Sequence, residues 1–223
     1  MKPPLVFRPY TPTARDIVYR DTLPHRSCPG RTIFITWRLS DSIPPDAAME
    51  KSLHRAQKRW LERERVSLWP ESQNIDDILL NRCPEKVSSF RLIRYWVEEQ
   101  FDSKRLGASV LKDSEAAASV RSAIFEEEKS GVGIGDFAIS WNHVHLLLVM
   151  GQDADLQGHM TRIKGRASCY LGRAGVVGLP KPVWQRHWFD HIVRNRRKLT
   201  RIRAYIADHR VPCGGAYYAA EWA

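Results

Sequence analysis

The stretch WNHVHLLLVM, Trp141–Met150, decides how the fold of this chain is interpreted. Residues two apart on a β-strand point to the same face of a sheet, and neighbours point to opposite faces. His143 and His145 would therefore stand side by side, about 6–7 Å apart at the backbone, while Val144 between them would enter a hydrophobic core. We predict a strand over His143–Met150 that carries an imidazole pair on one face and apolar side chains on the other.

Three further strands are predicted around this one. TIFITWRL, Thr32–Leu39, is rich in β-branched and aromatic residues, which is typical of a strand. Asp136–Ser140 would form a tight hairpin with the histidine strand, and Val183–Val193 would add the last strand. The glycines of GVGIG, residues 131–135, are interpreted as a flexible turn. This segment is not a phosphate loop, because it lacks the Lys-Ser/Thr ending of that motif and follows a helix.

Helical segments are predicted from apolar periodicity and capping residues. They are about Ala47–Val66, Ser88–Glu99, Asp113–Lys129, Asp155–Arg173 and Lys198–His209. With the strands they give the order β-α(αα)-β-β-α-β-α. This order indicates an α+β fold, a ferredoxin-like antiparallel sheet with helices on one face. Such a fold needs one helix between its first two strands, so the surplus predicts a helical insertion after the first strand, within about 41–130.

Composition divides the chain into three parts. Residues 1–30 carry six prolines and little periodicity, which predicts a mostly irregular N-terminal arm. Residues 31–212 would form one domain, and residues 213–223 a C-terminal tail. The 223 residues, 43% of them hydrophobic, are enough to bury a substantial core and exclude a disordered polymer.

The charge balance indicates a polyanionic partner. Lys and Arg number 35 against 25 Asp and Glu, giving a formal charge of +10 and a pI of about 9.7. Such a surplus is typical of nucleic-acid-binding proteins, although a basic protein without such a partner is the alternative. The excess lies in the last third of the chain. Candidate DNA contacts there are Arg162, Lys164, Arg166, Arg186, Arg194, Arg196, Arg197, Lys198 and Arg201.

Several protein classes are excluded by what the sequence lacks. Its first residues contain no apolar stretch long enough for a signal peptide, and the longest strong apolar run, Leu146–Met150, is too short to span a bilayer. The four cysteines are scattered without a CxxC pair, which argues against a disulfide framework or a zinc ribbon. We therefore expect a cytoplasmic protein with reduced thiols and no membrane partner.

Tyr205 and His209 form the second candidate cluster. They stand four residues apart on the last predicted helix, so one turn of about 6 Å places them on the same face. A tyrosine beside a metal ligand suits nucleophilic attack on a phosphodiester, because a bound cation can polarise the phosphate. The alternative is that Tyr205 only packs its ring against the sheet. His143 and His145 likewise have an alternative role as polar residues of a half-buried strand.

Five segments together resemble the single-tyrosine HUH transposases, and more specifically the REP-associated tyrosine transposases. They occur in the order of that family and extend over most of the chain from about Thr32 to Pro212. The segments are FITWRLSDSIP (Phe34–Pro44), WNHVHLLL (Trp141–Leu148), RIKGRAS (Arg162–Ser168), VWQRHWFDHIVRN (Val183–Asn195) and RAYIADHRVP (Arg203–Pro212). Residues 31–212 would accordingly be an HUH single-tyrosine transposase domain.

The resemblance implies a reaction, a metal and a substrate. His143 and His145 would bind Mg²⁺ or Mn²⁺, with His209 as third ligand. Tyr205 would attack a DNA phosphate, forming a 5′-phosphotyrosine link and leaving a free 3′-OH. The partner would be single-stranded DNA with a nearby hairpin, such as a REP-like palindrome. The family also implies a bacterial, nucleoid-associated protein that acts either as a monomer or as a homodimer.

Two departures from the family pattern keep alternatives open. The chain has His209-Arg210 where the family usually has Asn-Pro, and Ser140-Trp141-Asn142 where it usually has Met-Pro-Asn. A third imidazole would move the metal preference toward the transition metals favoured by nitrogen ligands. One alternative is a catalytically inactive, domesticated hairpin-binding protein. Another is a metal-dependent phosphohydrolase that acts on nucleotides.

Overall fold

The structure is a computed structural model that describes residues 3–10, 17–20, 24–42, 55, 59, 107–152, 155–209 and 216–223. The chain divides into two compact units, one made of Met1–Ser42 with Gly107–Ala223 and the other of Ile43–Leu106. The helices predicted at Ala47–Val66 and Ser88–Glu99 lie outside the described residues, except that Arg55 and Arg59 are helical and exposed.

An antiparallel five-stranded sheet forms the centre of the first unit, in the order β6-β3-β5-β4-β7. Its strands are β3 (Thr32–Arg38), β4 (Gly133–Ile139), β5 (His143–Val149), β6 (Phe189–Ile192) and β7 (Tyr217–Tyr218). The described helices are α1 (Ser114–Glu126), α2 (Leu156–Arg173) and α3 (Arg196–Asp208), with 3₁₀ turns at Val110–Lys112 and Glu127–Ser130. The succession β3-α1-β4-β5-α2-β6 is the ferredoxin-like arrangement, so the predicted α+β class is confirmed.

One face of the sheet carries the main hydrophobic core. Alternate residues of β3 and β5, such as Ile35 and its register partner Leu146, point to this face. Helices α1 and α2 cover it with fully buried apolar residues spaced three or four apart, such as Val120 and Ile124 on α1. Each helix begins where an aspartate side chain accepts backbone N–H groups, Asp113 for α1 and Asp155 for α2.

Helix α3 covers the opposite face, which differs from the expectation that all helices lie on one face. Phe34 of β3 contacts Tyr205 of α3 edge-on, with ring centroids 6.1 Å apart. Successive side chains of a strand point to opposite faces, and β3 and β5 carry buried apolar residues on both faces. The second face therefore also needs a helix to cover it. Helix α3 begins two residues earlier than predicted because the Asn195 side chain accepts the backbone N–H of Lys198.

The two ends of the chain are more ordered than predicted. The proline-rich arm contains an antiparallel hairpin of β1 (Ile17–Arg20) and β2 (Pro24–Ser27), because the short IVY run has strand propensity despite the surrounding prolines. In the predicted tail, β7 pairs with β4 at the sheet edge. Trp222 also forms a parallel bridge with Leu5.

Two predicted boundaries were wrong. Regular pairing in the Val183–Val193 segment is confined to β6, preceded by an isolated bridge between Trp184 and Leu39. In GVGIG, only Gly131 ends the preceding helical turn in the left-handed conformation (φ 80°), while Gly133 and Gly135 lie inside β4. A β-carbon at Gly135 would lie 2.8 Å from the backbone oxygen of Leu147 and from the Trp222 ring, so close packing explains the glycine. None of the described helices is long and apolar enough to cross a membrane.

Candidate active site

Three histidines meet on the face of the sheet that α3 covers. His143 and His145 project from β5, and His209 ends α3. The ring centroids of His143 and His145 are 4.8 Å apart, and those of His145 and His209 are 4.6 Å apart. One nitrogen from each of the three rings lies within 4.8 Å of the others, so the group is able to hold one metal ion.

Each histidine is oriented by a hydrogen bond at Nδ1. The partners, each at 2.8 Å, are Asn142 Oδ1 for His143, Thr36 Oγ1 for His145 and the Tyr205 carbonyl oxygen for His209. The amide and carbonyl oxygens are acceptors, so His143 and His209 carry their proton on Nδ1. Their Nε2 atoms then hold the lone pair that a metal needs. Such second partners are the usual way in which proteins orient metal-binding imidazoles.

Burial keeps the strand histidines neutral. Both side chains are almost completely inaccessible, with 2% of His143 and 1% of His145 exposed. Burial lowers the pKa of each well below the ordinary value of 6.5, and the nearby Arg38 guanidinium lowers both further. Neutral imidazoles at physiological pH are the form that binds metal cations.

Tyr205 lies against this histidine cluster. Its ring centroid is 4.1 Å from that of His209 and 5.0 Å from that of His145. The ring is half-buried and packs on the edge of Phe34. Packing against the sheet and proximity to the candidate ligands, considered as alternatives from the sequence, are therefore both present.

Most of the basic residues predicted as DNA contacts on α3 and in the segment before it face solvent. Arg186, Arg194, Arg196, Arg197 and Arg201 are exposed, and Lys198 is half-buried. Burial lowers the pKa of Lys198, and the neighbouring Arg201 lowers it further. On α3, four-residue steps place Arg197, Arg201, Tyr205 and His209 in one line, which we call the α3 row. Each step advances about 6 Å and turns about 40°, so the row winds from solvent toward the sheet.

The three residues predicted as DNA contacts on α2, Arg162, Lys164 and Arg166, have partners inside the protein instead. The fully buried carboxylate of Glu127 accepts from Arg162 Nε at 2.8 Å and from Arg166 at 2.6 Å. Lys164 donates to the backbone oxygens of Gln185 and Arg186, at 2.6 and 3.0 Å, and burial lowers its pKa to about 8. These three side chains belong to the helix on the face opposite the histidines.

Asp136 is a buried charge that the sequence prediction missed. Its side chain is 1% exposed and accepts from Arg203 Nε and Trp222 Nε1, each at 2.8 Å. The sequence signal was present, because an aspartate inside the apolar strand GIGDFAI implies a buried acceptor with its own donors. Periodicity alone does not identify those donors, which lie 67 and 86 residues away along the chain.

Comparison with known proteins finds a similarity over the part of the chain that contains this site. Residues 108–209 match the family model of the IS200-like transposases. A solved structure of a REP-associated tyrosine transposase bound to a REP hairpin is similar at 15% identity and a TM-score of 0.41, over 84% of this chain and 68% of that chain. No curated protein matches the chain. The family match extends from just before α1 to His209 and so contains the strand histidines and Tyr205. Residues 108–209, which carry the candidate site, are therefore similar to the IS200-like transposases.

Proposed function

We propose that this protein is a metal-dependent endonuclease and strand transferase for single-stranded DNA, with Tyr205 as its nucleophile. The observation that carries the proposal is the position of the Tyr205 ring, 4.1 Å from His209 and 5.0 Å from His145. A tyrosine side chain beside three candidate metal ligands suits the cleavage of a phosphodiester by a protein nucleophile. The match of residues 108–209 to the IS200-like transposase model supports DNA as the substrate.

The histidine cluster fits a divalent cation. His143, His145 and His209 would hold it through Nε2, because Nδ1 of each ring is hydrogen-bonded. When bound, the cation would polarise the scissile phosphate and offset the charge that develops on it. Of the two expected ions, the imidazole nitrogens favour Mn²⁺ over Mg²⁺, which prefers oxygen ligands.

The chain's own residues supply the nucleophile and its alignment. The Tyr205 phenol oxygen would form a bond to phosphorus as the bond from phosphorus to the 3′ oxygen breaks. The phenol loses its proton, and the leaving 3′ oxygen gains one, so the products are a 5′-phosphotyrosine and a free 3′-OH. Attack of another 3′-OH on the phosphotyrosine would reverse these changes and complete strand transfer. The Phe34 ring packs against the Tyr205 ring in a T-shaped contact, with centroids 6.1 Å apart, and so would help to align the nucleophile.

The α3 row gives the DNA strand a path into the site. Arg197 and Arg201 are exposed, whereas Tyr205 and His209 are half-buried at the sheet. Phosphates bound by the two arginines would lead the strand along the helix toward the tyrosine, and such contacts dominate binding to nucleic acid. Arg186, Arg194 and Lys198 would extend this surface, whereas Arg196 donates to the Ala223 backbone oxygen at 3.0 Å. We do not include the basic residues of α2 in it, because Glu127 and backbone oxygens already bind them.

A cleavage assay tests the proposal. Labelled single-stranded hairpin oligonucleotides, drawn from repeats beside the gene, are incubated with Mg²⁺ or Mn²⁺ and separated on denaturing gels. We expect label at the size of the protein, abolished by EDTA and by Tyr205→Phe. Tyr170→Phe is the matched control, because the Tyr170 hydroxyl donates to Glu126 on the other face of the sheet.

Each failure has a distinct meaning. An adduct that persists in Tyr205→Phe would refute the nucleophile assignment. Tight hairpin binding without cleavage in either metal would refute the enzymatic proposal and favour a non-catalytic hairpin-binding protein. Turnover of mononucleotides that survives Tyr205→Phe would favour the phosphohydrolase.

A further inference from the structure

A β-bulge in β4 turns Asp136 toward α3. In the pairing of β4 with β5, Ile134 faces Leu148 and Phe137 faces Leu146, so Gly135 and Asp136 both oppose the one residue between. Two residues opposite one define a bulge, which re-aims side chains and is frequent beside active sites. Ile134 and Phe137 point into the core under α1 and α2, and Asp136 points to the histidine face.

The Asp136 carboxylate connects three parts of the fold. Oδ2 accepts from Arg203 Nε of α3 at 2.8 Å, and Oδ1 accepts from Trp222 Nε1 at 2.8 Å and from the Ala220 backbone N at 3.2 Å. We call these four residues the Asp136 cluster. A carboxylate that is 1% exposed is costly to bury unless a charge and hydrogen bonds compensate it, and both are present here.

The C-terminal segment, residues 216–223, is bound to α3 at further points. Arg203 also donates to the Ala220 oxygen at 3.3 Å, and Arg196 donates to the Ala223 oxygen at 3.0 Å. The segment is itself fixed to the N-terminal residues, because Leu5 N donates to the Glu221 oxygen at 2.8 Å. Helix α3 is therefore held on the sheet by polar contacts to β4 and to the C-terminal segment as well as by apolar contacts beneath it.

Assembly of the candidate site depends on how α3 docks. Tyr205 and His209 lie on α3, whereas His143 and His145 lie on β5, so a small shift of the helix would separate the two halves. The apolar residues beneath α3, such as Ile202 and Ile206, bury area without fixing a direction. Arg203, two residues before the tyrosine, makes a directional contact with Asp136. This contact fixes the position of α3 along the sheet, which apolar packing alone does not.

We propose that the Asp136 cluster positions α3, and that Asp136 and Arg203 are positioning residues for Tyr205 and His209. This proposal rests on the proposed function of the histidine site. Neither residue belongs to the DNA path proposed along the α3 row, so their loss should slow the chemical step and leave hairpin binding nearly unchanged. A displacement of about 1 Å at a reacting group is able to cost about 100-fold in rate, so a loss of about 10- to 100-fold is expected.

A double-mutant cycle tests this inference. Asp136→Asn, Arg203→Gln and the double variant are compared with wild type in Mn²⁺. Arg203→Lys serves as the conservative variant, and Trp222→Phe is a milder variant that removes one donor and keeps a ring. Matched controls are Glu115→Gln and Arg121→Gln, which remove the same charges from α1 on the other face. The measurements are the adduct rate at saturating hairpin, the hairpin Kd, and amide hydrogen exchange in α3 and β5.

The expected pattern is specific to positioning. The single variants should lose about 10- to 100-fold in rate, keep a hairpin Kd within about threefold of wild type, and exchange faster in α3 but not in β5. The double variant should be no slower than the slower single variant, because both substitutions remove the same contact between Asp136 and Arg203. Arg203→Lys should recover part of the rate, and Trp222→Phe should change α3 exchange in the same direction.

Three results would overturn the inference. They are wild-type rates in both single variants, losses that add in the double variant, and α3 exchange unchanged in Trp222→Phe and Arg203→Gln. Failure of the proposed function is distinguishable, because a wild-type protein that forms no adduct would still report on α3 through hydrogen exchange. If the variants exchange faster in α3 but wild type forms no adduct, the positioning role of the Asp136 cluster is supported and the proposed enzymatic function is refuted.

Discussion

Replacing Glu127 with Gln should destabilise the protein strongly, although the residue lies on the face opposite the candidate site. The fully buried carboxylate accepts from His159 Nδ1 at 2.6 Å, from Arg162 Nε at 2.8 Å and from Arg166 at 2.6 Å. These bonds connect the end of α1 to three successive turns of α2. Glutamine keeps the shape but removes the charge, and its amide group would point two hydrogens toward donors.

The size of the effect follows from burial. Breaking a buried charge network by removing one partner costs about 3–5 kcal/mol. The lower end applies here because water reaches two of the three donors, with 39% of the Arg162 and 28% of the Arg166 side chain exposed. We expect a loss of about 3 kcal/mol, which lowers Tm by about 6–12 °C in a domain of this size. Glu221→Gln, at an exposed carboxylate, should change the free energy of unfolding by less than about 0.5 kcal/mol.

The effect should also depend on pH. Burial raises the pKa of Glu127, but hydrogen bonds from His159, Arg162 and Arg166 outweigh it, and the pKa lies below the ordinary value of 4.5. A carboxyl whose pKa is lower in the folded state stabilises fully above the unfolded pKa and loses that contribution as pH falls through the folded pKa. The difference between wild type and Glu127→Gln should therefore be constant near neutral pH and shrink below about 4.5.

Urea denaturation followed by circular dichroism measures both quantities. The free energy of unfolding is determined for wild type, Glu127→Gln and Glu221→Gln at pH 7 and at steps down to the acid transition. A Glu127→Gln value within about 0.5 kcal/mol of wild type at pH 7 would refute the assigned role of the network. So would a difference that stays constant through the acid range. Mn²⁺ binding at the histidines should be unchanged, since the network lies across the sheet.

Three further outcomes are expected. Gly135→Ala should destabilise the protein by about 1–3 kcal/mol through overpacking. Gly165→Ala on α2, where an added β-carbon meets nothing within 4 Å, should stabilise it by up to about 1 kcal/mol. Thermal melts compare the two variants, and equal effects would contradict the β4 packing. His209→Asn should raise the ratio of Mg²⁺-supported to Mn²⁺-supported adduct formation by replacing a nitrogen ligand with oxygen, and an unchanged ratio would exclude His209 from the metal site. Arg197→Gln and Arg201→Gln should each weaken binding to a hairpin oligonucleotide and lower the slope of log affinity against log salt by about 0.7–1 per lost phosphate contact. Fluorescence anisotropy at several salt concentrations measures this slope. An unchanged slope would exclude the substituted residue from the DNA path.

Local patterns predicted the elements that carry the candidate site. The alternation of His143, Val144 and His145 is a property of any strand, and the four-residue step from Tyr205 to His209 is a property of any helix. Both patterns are independent of the rest of the fold. The structure brings all four polar side chains to one face of the sheet. The two periodicities predicted each pair, and the docking of α3 on β5 brings the pairs together.

Contacts between distant segments were beyond such patterns. The basic residues predicted on α2 are on that helix, but Arg162 and Arg166 bind Glu127, which lies 35 and 39 residues away along the chain. Periodicity does not distinguish a charged face in water from one bound to a neighbouring helix. Gly133 and Gly135 were assigned to a turn for a similar reason. Glycine disfavours strands on its own, and here it is retained because β5 and both chain ends approach β4 closely.

The α3 row has a consequence for which changes in chain length the protein would tolerate. Between Arg201 and Tyr205, one inserted residue would rotate everything beyond it by about 100° and advance it by about 1.5 Å. Tyr205 and His209 would then leave the sheet while the basic end of the helix stayed in place. The number of residues between Arg201 and Tyr205 is therefore fixed by the site. Natural variation in length should accumulate elsewhere, for example in the exposed loop around Val177 between α2 and β6.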